Sequence, residues 1–539
     1  MYRIAWVFLA VVLLAQETQP VLRVTTRLVQ VNVVVHDKSG QPVPGLTKDD
    51  FTLYEKGKER KIAFFSVVEG HKPLKLGRDA QLPTNIFSNR VKRGESPTSA
   101  TVILFDALNT KFEDQAYAKA QLIKFLQKMQ PEDRVAIYLL TRRLIILQDF
   151  TSDPDHLLKA LARYRASSSA VLDAADPAPP DPTGNDDLDQ FLQNALQIES
   201  DFFNVRRVQD TLQAMELIAA HLAGVPGRKN LIWFSAGFPF SLGFGFEPGT
   251  TPATRPGAEQ RTFAPEVEHA TRALNNAGVA IYPVDARGLV GLPASMQASS
   301  RGTVRPGQPP KITSMSPPNH DTMRILAEQT GGRAFYNTND LEGAARRAVD
   351  DSAITYTLGF YPDADDFDGK YHALKVEVNR KGLELRYRKG FVAAPEAAAT
   401  DKQRSTDIGN ALRSPLEATG IGINVRVDPV DQPKPGSVRM IIQIAQDTIS
   451  LKPKGDRTVG ALEIIVTQNA PDGRVLASTS ETLNMNLTRE TYEKVMKSGV
   501  VLTKTLEPNA EAYQFRVLVY DRSTGNVGSI FVPVKIPKA

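Results

Sequence analysis

The sequence has no cysteine among its 539 residues. Disulfide-stapled scaffolds, thiolate zinc or iron–sulfur sites and a cysteine nucleophile are therefore excluded, and any metal would have to bind to oxygen or imidazole. An excess of one charge is also lacking, because 65 basic and 60 acidic residues leave a formal net charge of +5. This balance, without a concentrated basic stripe, indicates that nucleic acid is not a partner.

Long hydrophobic runs are missing as well, and the apolar stretch at the N-terminus extends only from Ile4 to Leu14. It follows the basic Arg3, ends at the small Ala15, and is too short for a membrane span, which needs about 20 apolar residues. We therefore predict a signal peptide over residues 1–15, with an uncleaved anchor or a buried strand as alternatives. The protein would then be exported to the periplasm, the cell envelope or the outside, with no membrane span after signal removal.

The rest of the chain changes its apolar pattern several times. Residues 21–69 alternate in the manner of β-strands, and 70–99 are interpreted as a polar linker. Over 98–353, continuous apolar strands alternate with amphipathic helices, which predicts an α/β domain with a doubly wound, mostly parallel sheet. The β pattern returns over 354–392. Because neither β segment has enough strands to close a core, we expect 21–69 and 354–392 to pair into one sandwich-like unit.

The C-terminal part begins with an alanine-rich segment with scattered charges, 393–410, which is interpreted as a linker. Polar and apolar residues then alternate in several runs over 411–539, and turn sequences separate them, so this region is predicted to be an all-β, sandwich-like domain. Residues 379–382, with the sequence NRKG, are predicted to form a hairpin turn between two strands of the preceding β segment.

Five separated segments together resemble the von Willebrand factor A domain, and more narrowly the von Willebrand factor A-related acidobacterial family. The resemblance covers about residues 25–395. The segments are VPGLTKDDF at 43–51, FDALNT at 105–110, VPGRKNLIWFS at 225–235, LAEQTGGRA at 326–334 and YTLGFY at 356–361.

The resemblance implies a divalent cation held by Asp-x-Ser-x-Ser after the first strand, with Thr and Asp from later loops, a shell of hard oxygens that suits Mg²⁺, Mn²⁺ or Ca²⁺. Asp106 matches the first ligand and Thr110 can replace the last hydroxyl. Leu108 occupies the middle hydroxyl position, and the later loop has Ser235 followed by Ala-Gly instead of Thr-Asp-Gly. The remaining position falls near 167–169. Mg²⁺ or Mn²⁺ would thus bind only to a weakened site, and otherwise Asp106 caps the following helix.

Enzyme motifs are lacking. The seven histidines show no His-Glu-x-x-His spacing, and neither a Gly-x-Ser-x-Gly nor a phosphate-binding loop is present. The acidic run 363–369 lacks the alternate spacing of a calcium loop and is interpreted as a solvated turn.

We therefore expect a non-enzymatic protein-interaction or adhesion module that binds a protein or surface ligand. No cofactor is predicted apart from Mg²⁺ or Mn²⁺ at the weakened site. If the domain acts like its relatives, its partner-binding loop face comprises Asp106, Asn109, Thr110 and Ser235. One alternative is a structural or scaffold protein of the cell envelope whose C-terminal β domain makes the contacts. A hydrolase is the third possibility.

Overall fold

The computed structural model describes residues 28–69, 83, 85–90, 100–131, 133–175, 177, 181–225, 227–239, 241–242, 261–289, 318–363, 368–393 and 400–534. The predicted signal peptide lies outside these residues. Within them, no helix is long and apolar enough to cross a membrane.

The described secondary structure comprises strands and helices that alternate mainly between residues 100 and 350. The strands are β1 (Val29–His36), β2 (Phe51–Glu55), β3 (Lys58–Arg60), β4 (Phe64–Glu69), β5 (Ile86–Ser88), β6 (Ala100–Asp106), β7 (Val135–Leu140), β8 (Leu144–Thr151), β9 (Lys229–Ser235), β10 (Ser241–Leu242), β11 (Arg261–Thr262), β12 (Val279–Asp285), β13 (Ile354–Phe360), β14 (Tyr371–Val378), β15 (Glu384–Arg386), β16 (Gly390–Val392), β17 (Ile423–Val430), β18 (Ser437–Ile444), β19 (Lys452–Lys454), β20 (Arg457–Asn469), β21 (Val475–Leu487), β22 (Val500–Leu506), β23 (Gln514–Asp521) and β24 (Val527–Pro533). The α-helices are α1 (Phe112–Gln127), α2 (Pro154–Arg163), α3 (Ala170–Ala175), α4 (Asp186–Leu222), α5 (Ala264–Asn276), α6 (Pro318–Thr330), α7 (Leu341–Asp350), α8 (Asp401–Arg413) and α9 (Arg489–Ser498).

The central domain is built on a mixed sheet with the order β12-β9-β6-β7-β8. Its first four strands are parallel and only β8 is antiparallel. Strands β6, β7, β9 and β12 are buried along their whole lengths. The helices pack on both faces of the sheet, and an apolar core lies between the sheet and the helices on each face. The prediction of a mostly parallel sheet covered on both faces is confirmed.

An N-terminal sandwich joins strands from two distant parts of the chain. Its sheets have the orders β15-β1-β13-β4 and β16-β14-β2-β3. Both sheets contribute side chains to one apolar core, in which Phe51 and Tyr356 pack with their ring centroids 5.3 Å apart. The segments before and after the central domain thus complete each other's hydrophobic faces.

The C-terminal region is a β-sandwich, in agreement with its alternating pattern, but it is not all-β as predicted, because helix α9 lies between β21 and β22. One sheet has the order β22-β18-β17-β5, and the other contains β19, β20, β23 and β24, with β21 paired to β20. The inward-facing residues of both sheets form a single core.

Both predicted linkers differ from the structure. Within 70–99, β5 adds an edge strand to the C-terminal sheet by pairing with β17, and buried Asn89 donates to the carbonyls of Ala418 and Ile421. Within 393–410, α8 begins after the N-cap Thr400, which accepts from the Gln403 N–H. The helix buries Ile408 and Ala411 in a small core with β23. A three-residue strand and a mostly polar helix with few apolar residues have weak sequence patterns, which explains both differences.

The predicted hairpin at residues 379–382 is also wrong. β14 pairs with β2 and β16, whereas β15 pairs with β1 in the opposite sheet. The turn therefore crosses between the two layers of the sandwich. The turn sequence predicted the change of direction correctly but not the strand on the other side.

Candidate functional site

Three neighbouring parallel strands end together at the carboxyl edge of the central sheet. β6 ends at Asp106, β9 at Ser235 and β12 at Asp285. β9 lies between the other two strands, and Ser235 is in register with Asp285. Ligands of open α/β sheets bind at this edge, where loops and helix ends converge.

Asp106 is fully buried, and protein donors occupy both of its carboxylate oxygens. Oδ1 accepts from the backbone N–H of Asn109 at 3.0 Å. Oδ2 accepts from Asn109 Nδ2 at 2.7 Å, Trp233 Nε1 at 2.9 Å and Ser235 Oγ at 2.8 Å. Burial raises the pKa of Asp106, and these hydrogen bonds, which favour the charged form, offset that effect only in part.

Asn109 connects this carboxylate to helix α4. Besides Asp106, its Nδ2 donates to Thr211 Oγ1 at 2.7 Å. Its Oδ1 accepts from Arg207 Nε at 3.0 Å, and Thr211 Oγ1 donates to the Arg207 carbonyl at 2.8 Å. The loop after β6 is thus fixed to the middle of α4 through a chain of buried hydrogen bonds.

The other predicted ligand positions take part in loop packing. Thr110 Oγ1 accepts from the Ala236 N–H at 3.2 Å, which joins the loops after β6 and β9. Ser169, from the segment where the resemblance places a further ligand, donates to the Leu108 carbonyl at 3.2 Å. The Leu108 side chain is buried in an apolar core.

These residues do not fit a divalent cation in this arrangement. Asp106 already accepts from four protein donors, three of them on Oδ2, so only Oδ1 keeps a lone pair for a cation. Leu108 supplies no ligand, and the guanidinium of Arg207 already lies against Asn109 Oδ1. Among the described residues, no group of three or more histidine, aspartate or glutamate side chains could hold a metal ion. We therefore derive no chemistry through a metal.

The four side chains expected on the partner-binding face lie below the surface. Asp106, Asn109, Thr110 and Ser235 are each at most 1% exposed. The structure does bring them together, as the strand order predicts, but their atoms contact one another and the protein interior. Their role in this geometry is to hold the loops, and a partner would meet the residues around them.

Three members of the network are absent from the sequence prediction: Trp233, Arg207 and Thr211. Trp233 has a signal that could have identified it, since the N–H of a tryptophan within an apolar strand needs a buried acceptor. Arg207 lies among apolar positions of α4, and a buried arginine likewise needs partners. Which acceptor each finds depends on the fold.

A second buried carboxylate, Asp285, has charged partners at the same edge. Arg287 donates to Oδ1 at 2.9 Å and to Oδ2 at 2.8 Å. His320 Nε2 lies 2.7 Å from Oδ2, and its ring stacks on Tyr336 at 4.6 Å. Burial alone would raise the pKa of Asp285, but the hydrogen bonds from His320 and Arg287 and the charge of Arg287 outweigh it, so the pKa is lowered.

Helix α4 extends far beyond this edge. Its 37 residues run antiparallel to β9, and Arg207 marks the level of the β6 loop. Residues 186–206 precede this level and span roughly 30 Å at 1.5 Å per residue. Of these, 200–206 are held against α3 and the central core, and 186–199 extend beyond them along the same helix. Large apolar side chains are exposed on it. They are Leu188 (45% exposed), Phe191 (67%), Ile198 (59%) and Phe202 (66%).

No protein family and no curated protein matches the sequence. A solved structure of an aerotolerance-related membrane protein from Bacteroides fragilis is 12% identical, over 47% of this chain and 98% of that chain, with a TM-score of 0.24. The VWA domain of SpRpn10 is 11% identical, over 46% and 94%, with a TM-score of 0.23. The pilus adhesin SpaC from Lactobacillus rhamnosus GG is 8% identical, over 78% and 53%, with a TM-score of 0.27. Similarity at this level identifies neither a family nor a ligand.

Proposed function

We propose that the protein is an exported, non-enzymatic protein-interaction or adhesion module of the von Willebrand A type, with a degenerate metal site. Its partner binds at the carboxyl edge of the central sheet, on the projecting part of α4. The observation that carries this proposal is the exposed apolar stripe on that helix. The absence of hydrolase motif spacings from the sequence supports binding over catalysis.

The stripe has the spacing of a helix–helix contact. Leu188, Phe191, Ala195, Ile198 and Phe202 follow one another at intervals of three, four, three and four residues, so they lie along one side of the helix. We call these five residues the α4 seam. All five are exposed. Exposed aromatic side chains in one continuous stripe are typical of interaction surfaces.

The charge around the seam selects the class of partner. Residues 186–205 contain five carboxylates and no lysine or arginine. Asp187 and Glu199, which flank the seam, are exposed. A second copy of this helix would place like charges together, whereas a basic amphipathic helix would bring opposite charges to them. The partner is therefore a protein segment with an apolar stripe bordered by lysine or arginine.

The buried network explains why this helix is a firm platform. Asp106 and Asn109 fix the β6 loop to Arg207 and Thr211, and Ser200 and Asn204 bind the Ala175 carbonyl of α3. The root of the projection is thus held at two levels. Partner capture then depends on the seam itself, and removal of divalent cations leaves it unchanged.

Site-specific photo-cross-linking tests the proposal. A photoreactive residue is placed at Phe191 on the seam or at Gln193 on the opposite side, and each protein is incubated with exported proteins of the source cells. We expect cross-links from position 191 to a basic amphipathic segment and none from position 193. The doubly substituted F191S/F202S protein should lose capture, while Q193S keeps it.

Chelation of divalent cations is the second arm of the experiment. Addition of EDTA, or of Mg²⁺ or Mn²⁺ at about millimolar concentration, should change neither capture nor melting temperature. Capture that survives F191S/F202S would overturn the seam as the binding surface. A cation-dependent rise in melting temperature that Asp106→Ala abolishes would overturn the degenerate site.

A further inference from the structure

A cavity of about 960 Å³ lies between the N-terminal sandwich and the central domain, remote from the carboxyl edge. One wall is the sheet of β1, β13 and β4, with Asn32, Thr357 and Phe64. The opposite wall is α5 and the amino ends of β9 and β12. The cavity thus lies at a junction of domains, a common place for small-molecule sites.

Lys229, the first residue of β9, lines this cavity although its side chain has little contact with solvent. The residue is 3% exposed, and burial lowers its pKa to about 7. Nζ donates to the Val225 carbonyl at 2.6 Å, its one hydrogen bond among the described residues. In its protonated form Lys229 has three N–H donors, of which two are left for a ligand, and a bound anion favours that form.

Gly278 lies beside this amine. A β-carbon at this position would be in van der Waals contact with three polar atoms, at 3.4 Å from Lys229 Nζ, 3.4 Å from the Gly227 carbonyl oxygen and 3.5 Å from Asn32 Nδ2. The glycine has φ of +66°, a conformation that side chains rarely adopt. Two nitrogen donors from different domains therefore border the same small space, together with one backbone carbonyl oxygen, and both donors suit an oxygen acceptor.

The remaining lining combines positive charge with an apolar wall. Arg272 and Arg388 add two cations, whereas Glu268 adds one carboxylate, 3.2 Å from Arg272. Nε of each arginine and Thr271 Oγ1 are buried without a hydrogen-bond partner in the described part of the chain. The apolar lining includes Phe64, Leu28, Val225, Val267, Ile325 and Phe391.

We propose that this cavity binds a small amphipathic monocarboxylate, whose carboxylate contacts Lys229 and Asn32 and whose apolar part packs against Phe64. An anion satisfies the free donors of Lys229 and balances an excess of positive charge. The apolar part covers Phe64, which is 42% exposed without a ligand. Because its contacts come from two domains, the ligand also stabilises their junction.

Calorimetric titration of the full-length mature protein with octanoate tests this site, with octan-1-ol as the uncharged match. We expect octanoate to bind at least tenfold more tightly than octan-1-ol. Lys229→Met, which keeps the length of the side chain and removes its charge, should weaken octanoate binding at least tenfold. Lys124→Met, which removes an exposed charge on α1, should leave it unchanged.

A second pair of variants tests the apolar wall with Lys229 intact. Phe64→Ser should weaken octanoate binding at least fivefold. Val67→Ser, on the same strand but outside the cavity lining, should bind octanoate like the natural protein. No octanoate binding at 10 mM, equal affinity of the Lys229→Met protein, or equal losses in the two β4 variants would each overturn the proposal.

Discussion

Two buried carboxylates at the same sheet edge differ in the partners that compensate them. Asp106, at the end of β6, accepts hydrogen bonds from neutral groups, and burial raises its pKa. Asp285, at the end of β12, contacts Arg287 and His320, and its pKa is lowered despite burial. Because the two aspartates are similarly buried and similarly placed in the sheet, the opposite directions of their pKa shifts come from the charge of their partners.

The comparison also separates two structural roles. The Asp106 network reaches α4 through Asn109, so it orients the projecting helix that carries the seam. Asp285 instead connects β12 to the start of α6 through His320. Loss of either carboxylate should reduce stability, but only loss of Asp106 should disturb the α4 platform.

The largest expected effect is that of Asp106→Ala. It would leave four buried donors without an acceptor, and since each costs on the order of 1–3 kcal/mol, partial relaxation gives a loss of about 4 kcal/mol in the free energy of unfolding. Trp233 is one of those donors and one of only two tryptophans in the sequence. Urea unfolding followed by tryptophan fluorescence measures the loss.

Asp321→Ala is the matched control for that experiment, because Asp321 is exposed and its one ion pair in the described part of the chain is with exposed Arg324. We expect a change below about 0.5 kcal/mol. If Asp106→Ala had an equally small effect, the network would not be a stabilising element of the loop.

Arg287→Met is expected to have the next largest effect. It removes the permanent positive charge beside Asp285, so the pKa of Asp285 should rise, and the free energy of unfolding at pH 7 should fall by about 2 kcal/mol. Arg324→Met, which removes an arginine from exposed pairs with Asp321 and Glu328, should cost less than about 1 kcal/mol. Both losses are measured by urea unfolding. Equal losses would contradict the expectation that the pair with buried Asp285 stabilises the protein more than the exposed pairs of Arg324.

Much of this architecture could be predicted from the sequence, and the residues show why. The apolar runs that end at Asp106 and Ser235 predict parallel strands, and strands of that kind bring both residues to one edge. The sequence pattern does not show that Trp233 Nε1 and Asn109 Nδ2 reach the same oxygen, because this depends on side-chain direction across strands. Burial of the four predicted face residues was missed for the same reason. The loop motif shows where these residues lie along the chain, but it does not show how deeply their side chains are buried.

The pH dependence of stability should have opposite signs at the two carboxylates. For Asp285, the folded-state pKa lies below the ordinary value of 3.8, so its stabilising contribution is present above pH 3.8 and is lost as the pH falls through the folded-state pKa. For Asp106, the folded-state pKa lies above 3.8, so stability is lost as the pH rises from 3.8 through that pKa.

Unfolding of the natural protein, Asp285→Asn and Asp106→Asn between pH 3 and pH 7 measures both signs. Relative to Asp285→Asn, the natural protein should lose stability toward low pH. Relative to Asp106→Asn, it should lose stability toward high pH. If the stability difference from the natural protein had the same pH dependence in both variants, the partners of Asp106 and Asp285 would not shift the two pKa values in opposite directions.

The smallest expected effect is that of Ser235→Ala. This variant measures how much the Ser235 hydrogen bond to Asp106 contributes to stability beside those from Asn109 and Trp233. Two donors to Oδ2 remain, from Asn109 and Trp233, while the Gly237 N–H loses its acceptor. A loss of about 1–2 kcal/mol follows from these two changes. In an Asp106→Ala background, Ser235→Ala should cost about 1 kcal/mol less, since the hydrogen bond between the two side chains is already absent. Full additivity in this double-mutant cycle would mean that Ser235 acts through Gly237 alone.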